Sequence, residues 1–224
     1  MEITIKLRTE EELKIDTIRN FSRNNIFFFD EILNASINKI TAEYHQMKHM
    51  EQDMLAKDDE EERELIRSDI HDIECQLYSK KQTVYEMKIM FLFKEIETCI
   101  VSIFNEAYYD FDITKTHKES YISNFWKNKK LNIGDINGYC EYLELRKVSN
   151  YIKHENISFF HESQNHILNV KEFKNFKNTY LRNVEYSDSL KFFYNRVSVK
   201  MTSFLNEFGE IIIKNAFVKK EENN

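Results

Sequence analysis

The sequence predicts an all-α fold: a helical bundle with a long N-terminal antiparallel helical hairpin. Breakers are scarce. An average chain of this length would carry roughly eleven prolines and fifteen glycines, and this one has no proline and only Gly134, Gly138 and Gly209. Helices can therefore run long before anything stops them. Apolar residues recur at helical spacing over several long stretches. They also make up 42% of the 224 residues, enough to bury a sizeable core.

Each element follows from local pattern. "MEITIKL" alternates weakly and reads as a short strand or a frayed start. A helix is expected from Glu10, and a second from about Ile26 to Met54. In the second, Leu33, Ile37, Ile40, Tyr44, Met47 and Met54 make one apolar stripe. "AKDDEEERE" interrupts it. Asp58 can cap the next helix, and the acids after it suit a helix N-terminus. That third helix is expected over Asp59 to Tyr108, with Ile66, Ile70, Ile73, Leu77, Val84, Met87 and Phe91 as its stripe, broken only at Lys80. Two striped helices joined by a short turn fold back as an antiparallel hairpin. "DFDITKTHKE" reads as a loop and "SYISNFWKNKKLN" as a short helix. A further helix starts at Asp135 or Asn137 and ends near Glu155. The polar, mixed segment after it reads as a long loop with a short strand or helix. The last helix runs from about Ser187 to Ala216, striped by Leu190, Phe193, Val197, Met201, Phe204, Leu205, Phe208 and Ile212. "KKEENN" reads as a disordered tail.

Composition removes several function classes. Cys75, Cys99 and Cys140 are isolated and no Cys-x2-Cys pair exists, which argues against a disulfide framework or a cysteine zinc site and favours a reducing, cytoplasmic setting. No signal peptide is visible. The most apolar run, "MKIMFLFKEIETCIVSIF", is interrupted by Lys94, Glu95 and Glu97, so no membrane span is expected. Neither a glycine-rich phosphate loop nor a Gly-x-Ser-x-Gly elbow occurs.

The net charge of −6 argues against a surface coated with bases for nucleic acid, but the charge is uneven. Acids dominate from Glu43 to Glu74. Between Lys115 and Lys130 the balance reverses, with Lys115, Lys118, Lys127, Lys129 and Lys130 against Glu119 alone, and with Tyr121, Phe125 and Trp126 among them. Such a stretch is either a local phosphate-binding patch or a solvated loop with a few buried aromatics.

The chemically richest segment is "LRKVSNYIKHEN". At about 100° per residue, Arg146, Asn150 and His154 step by roughly 40° each, and Lys147 and Lys153 flank them. All five fit one face, with Leu145, Val148, Tyr151 and Ile152 opposite, while Tyr142 and Leu143 do not obey the division. The polar face suits a phosphate. His154, with an ordinary pKa of about 6.5, can take a proton from a 2′-hydroxyl or give one to a leaving oxygen. Arg146, Lys147 or Lys153 can hold the phosphate, and Asn150 can orient the imidazole or bind substrate. A packing helix with a polar outer face, or passive binding, fits the same residues.

The helix "EYLELRKVSNYIKHENI" resembles the signature helix of the HEPN superfamily, all-α domains of RNA-cutting toxins and antiviral defence proteins. The resemblance includes the preceding acid-containing helix "FKEIETCIVSIF", a loop with aromatics and a closing C-terminal helix, over about Tyr85 to Phe217. It implies a HEPN-like domain at 85–217, an N-terminal helical extension at 1–84 and a tail at 218–224. The family motif is Arg-x4–6-His, often with Asn, Asp or His after the arginine. Asn150 and His154 match it. Ser149 stands where the arginine is common, Arg146 lies one residue too far upstream, and Lys147 is at the right distance but is a point charge rather than a planar fork. Arg19-Asn20, Arg23-Asn24 and Arg182-Asn183 have no histidine at the family's spacing.

The resemblance implies RNA binding and endoribonuclease activity without metal or cofactor, in a toxin–antitoxin or antiphage defence setting. Lys127, Lys129 and Lys130, with Lys147 and Lys153, are then candidate substrate contacts. A homodimer with facing motif helices is also implied, as is a protein partner such as an antitoxin or a defence component. The alternative is an inactive HEPN-like scaffold that binds a partner through the hairpin.

Two further groups stand out. His45 and His49 lie four apart with Asp53 a turn on and Asp69 or His71 on the next helix, a spacing that suits either a metal or a solvated face. The chain lacks the Glu-x2-His pair of di-iron bundles. His161 and His166 flank "ESQN" as candidate second acids or bases, or as ordinary loop residues.

Overall fold

The computed structural model describes residues 9–55, 60–116, 119–154, 169–173 and 184–218. Among them every regular element is helical and no strand occurs, as expected of an all-α chain. Helix α1 spans Glu10–Leu55, α2 Glu60–Ala107, α3 Glu119–Asn128, α4 Tyr139–His154 and α5 Val184–Ile213. Short 3-10 turns cover Ile113–Lys115, Ile133–Asp135 and Lys171–Phe173, and a π-helical turn, Lys214–Val218, follows α5. The N-terminal "MEITIKL" segment, the Asp58 cap, Lys118, His161, His166, Arg182 and the "KKEENN" tail lie outside the described residues.

The first two expected helices are one. No glycine or proline lies between Glu10 and Leu55, so nothing stops α1 near Ile26. Its start is a capping box: Glu12 N–H donates to Thr9 Oγ1 at 3.3 Å, and Thr9 N–H donates to a Glu12 carboxylate oxygen at 2.9 Å.

The chain divides into two compact units: 1–27 with 92–146 and 197–224, and 28–91 with 147–196. The first unit is built on Phe104, fully buried, whose ring meets those of Tyr108, Phe111, Phe125, Trp126 and Phe208 at 5.3–6.1 Å between centroids. Tyr142 stacks on Phe204 at 5.2 Å. Gly138 seats the start of α4 against α5. Its φ is +91°, and a Cβ there would stand 2.7 Å from the Lys200 carbonyl oxygen, so only glycine fits.

On the other side of this unit the buried Arg19 guanidinium donates to the Asn206 carbonyl at 2.7 Å and pairs with Asp16 and Glu210. Gly209 leaves room for it, since a Cβ at that position would come within 2.5 Å of Arg19 Cδ.

Cys99 is buried in this unit. Burial pushes its thiol up to about 11, although a hydrogen bond with Ser22 pulls the other way. Cys75 and Cys140 are exposed. A thiol-reactive chromophore at pH 8 is therefore expected to label two cysteines of the native protein and the third only after denaturation. Fast labelling of all three would contradict this packing.

In the second unit the hairpin forms as expected. Lys88 contacts Asp30 and Asn34, Lys80 contacts Glu43, and Lys48 contacts Glu74, so α2 numbers fall as α1 numbers rise and the pair is antiparallel. Met47, Ile70 and Leu77 form the buried centre of its outer part, with Ile40, Tyr44 and Ile66 against them. Phe29 stacks on Phe91 at 3.7 Å.

Two residues of the expected α2 stripe are corrections: Ile73 and Met87 are exposed. The buried positions in that stretch include Gln82, Tyr85, Lys88 and Ile89 as well. The buried face is thus shifted around the helix from the simple 4,3 spacing, because α1 is not α2's only neighbour: Lys81 pairs with Asp188 of α5, and Ser149 of α4 donates to Met90. The α5 stripe is buried at every one of its eight expected positions.

Candidate functional site

Helix α4 has the two-sided character expected of it. Leu145, Val148 and Tyr151 are buried and Ile152 is half-buried. Within the second unit, Lys147 and Lys153 are exposed and Asn150 is half-buried. Arg146, the last α4 residue of the first unit, is half-buried and engaged with a neighbour. His154 is the final residue of the helix, and its side chain lies outside the described residues. Tyr142 is buried and Leu143 exposed, the two positions that the wheel did not sort.

Ser149, where the resemblance to HEPN domains would expect an arginine, is fully buried (0% exposed), and its Oγ donates to Met90 Sδ at 3.5 Å. The position therefore faces α2 and the core, not the lysine-bearing side of α4.

The lysines near α3 fare differently from one another. Lys129 Nζ donates to both Asp110 carboxylate oxygens at 2.7 Å and sits 4.8 Å from the Tyr108 ring centre. Lys115 pairs with Asp112 at 2.8 Å. That lysine, with the Thr114 hydroxyl, holds the Asp112 carboxyl down at about 2. Lys127 and Lys130 are exposed.

Lys130 ends α3 in the left-handed region at φ 54°. Its N–H donates to the Lys127 carbonyl at 3.0 Å, and Leu131 N–H donates to the Trp126 carbonyl at 3.2 Å. This is a Schellman cap with lysine where glycine is usual. Phe125 and Trp126 are buried, and the Tyr121 hydroxyl accepts from Asp112 N–H at 2.6 Å. These aromatics pack the first unit's core and present no stacking platform. Two lysines of the stretch are matched by their own acids.

His45, His49, Asp53, Asp69 and His71 are all exposed. Among the described residues, no three His, Cys, Asp or Glu side chains gather for a metal.

The pattern missed a polar cluster in the second unit. Lys88 is 4% exposed, and its Nζ donates to Asp30 Oδ1 at 2.7 Å and Asn34 Oδ1 at 2.6 Å, 4.8 Å from the Tyr194 ring centre. Tyr194 donates its hydroxyl to the same Asp30 oxygen at 2.7 Å, and burial and that carboxylate push its phenol upward. The signal was present: Lys88 lies four residues from both Val84 and Leu92 on the apolar side of α2. Elsewhere in this unit, Arg196 forks onto Glu172 at 2.7 and 2.9 Å. Burial raises that carboxyl, and the Arg196 guanidinium, a backbone hydrogen bond and the Lys171 charge together bring it below its ordinary value.

Among the described residues no helix is long and apolar enough to cross a membrane. No protein-family model, curated protein or solved structure matches this chain.

Proposed function

We propose that the chain is an RNA-binding, metal-independent endoribonuclease of HEPN type, working in a toxin–antitoxin or antiphage defence setting. The observation behind this reading is the sidedness of α4, with Lys147 and Lys153 exposed over a buried Leu145–Val148–Tyr151 backing. In this reading the lysines, with Arg146, draw in and hold the phosphate. His154 removes the 2′-hydroxyl proton as that oxygen bonds to phosphorus, and a proton returns to the 5′-oxygen as its bond to phosphorus breaks. Asn150 orients the imidazole. The nucleophile belongs to the substrate, so neither metal nor cofactor is required. Lys127 and Lys130, exposed in the first unit, are separate candidate phosphate contacts.

The test is to incubate the purified protein, in excess chelator, with an RNA and with its all-deoxy counterpart. The RNA is expected to be cut and the deoxy strand left intact. Cleavage of the deoxy strand, or loss of cleavage on chelation, would overturn the mechanism.

One observation favours a second reading, a non-catalytic interaction protein on the same fold. Ser149 replaces the family's arginine and is buried against Met90. Under that reading both strands survive the same incubation.

A further inference from the structure

The outer half of the hairpin is strongly acidic. Between Glu43 and Glu74 twelve acids face four bases, a net of −8 in a chain that totals −6, so the remaining residues are slightly positive. Among the described residues the cations here are already matched. Lys48 lies between Glu51 at 2.8 Å and Glu74 at 2.7 Å, Arg67 pairs with Glu64 at 2.6 Å, and Arg63 pairs with Glu60.

Across this half runs an apolar groove of about 310 Å³, floored by Met47, Met50, Ile70 and Ile73 and edged by Glu43 and Asp69. Met50 is 48% exposed and Ile73 41%, and Leu65, one turn before Asp69, is more exposed still. Apolar side chains left in water on a face so rich in charge call for a cover.

We infer that this groove docks an amphipathic helix of a partner protein, with aliphatic anchors on one face and lysine or arginine on its flanks. Charge decides among occupants. A second copy of the chain on a two-fold axis would set one acidic rim against the other. RNA and anionic membrane surfaces carry the same sign as the rim. A cationic helix meets opposite charge at the edge and apolar surface at the floor.

The lining residues span two helical turns on each arm, which suits anchors at i, i+3 or i+4, and i+7 of an incoming helix. The two methionines adapt to anchors of differing shape. The docked helix would lie in the furrow between two antiparallel helices and complete a local three-helix bundle. The inference rests on the hairpin alone and stands whether or not α4 cleaves RNA.

The probe is a fluorescein-labelled amphipathic Leu/Lys helical peptide titrated against the full chain by anisotropy. Controls are a Leu/Glu peptide of the same pattern and a Leu/Lys peptide of scrambled order. The patterned Leu/Lys peptide is expected to bind at least about tenfold more tightly than either control. Ile73→Asp and Asp69→Lys, both at exposed positions, are each expected to weaken it by about tenfold with helicity unchanged. Equal binding of the scrambled peptide would reduce the groove to bulk charge and overturn the inference. So would binding of none of the three, or unchanged affinity in Ile73→Asp. Self-association of the wild type that Ile73→Asp abolishes would assign the groove to a second copy instead.

Discussion

Ser149→Arg is expected to destabilise the protein by about 3–5 kcal/mol, not to restore a missing catalytic group. The serine is fully buried, its immediate neighbour Val148 likewise, and its hydroxyl donates to the Met90 thioether. A guanidinium stays charged at any working pH, and among the described residues Ser149 has a thioether, not a carboxylate, as its hydrogen-bond partner. The longer side chain also overfills a packed layer between α4 and α2. Ser149→Ala is the control. A thioether accepts weakly, so its loss should cost no more than about 1 kcal/mol. Urea unfolding of the three proteins separates these outcomes. A Ser149→Arg protein as stable as wild type would mean that the side chain turns outward, and the two faces of α4 would need to be reassigned.

The other large effect concerns His154. If α4 cleaves RNA as proposed, His154→Ala removes the proton-transfer group, and the cleavage rate should fall by about 10²–10⁴. Lys153→Ala removes one exposed charge among several, so its rate should fall far less, and the salt dependence of RNA binding should become shallower by about one phosphate contact. The informative pattern is a loss of rate in His154→Ala with RNA affinity nearly kept, since the lysines that hold phosphate remain. RNA cleavage undiminished by His154→Ala would exclude the histidine as acid or base. Undiminished RNA affinity in a protein with Lys147 and Lys153 both changed to alanine would remove the binding face as well.

Much of the architecture was legible because a single period governs long stretches. The α5 stripe from Leu190 to Ile212 is buried throughout since α5 keeps one side inward along its length. The sidedness of α4 followed from the same reasoning. Where a helix meets several neighbours, the period alone misleads. Ile73 and Met87 match the spacing yet are exposed, while Gln82 and Lys88 break the apolar pattern yet are buried. Helical spacing says which residues share a side, not how many other helices that side must meet.

Polar interior groups are the second blind spot. Charge alone marks Lys88 and Arg19 as outward, although each is buried and has a carboxylate partner distant in sequence. In the candidate site, spacing identified the helix and its cationic side. It could not show that Ser149 points into the core, or that Lys129 is taken up by Asp110.

The ammonium of Lys88 also does something that the aliphatic contacts around it cannot. Leucine against isoleucine is nearly as good after a slide of one helical turn, so two long striped rods have several alignments of similar energy. Asp30 and Asn34 lie one turn apart on α1, so a one-turn slide would cost the Lys88 nitrogen at least one of them and leave its buried charge less well matched. This single residue can thus act as a dowel pin that fixes which turn of one arm meets which turn of the other. The pairs farther out, Lys80 with Glu43 and Lys48 with Glu74, then meet in the register that it sets.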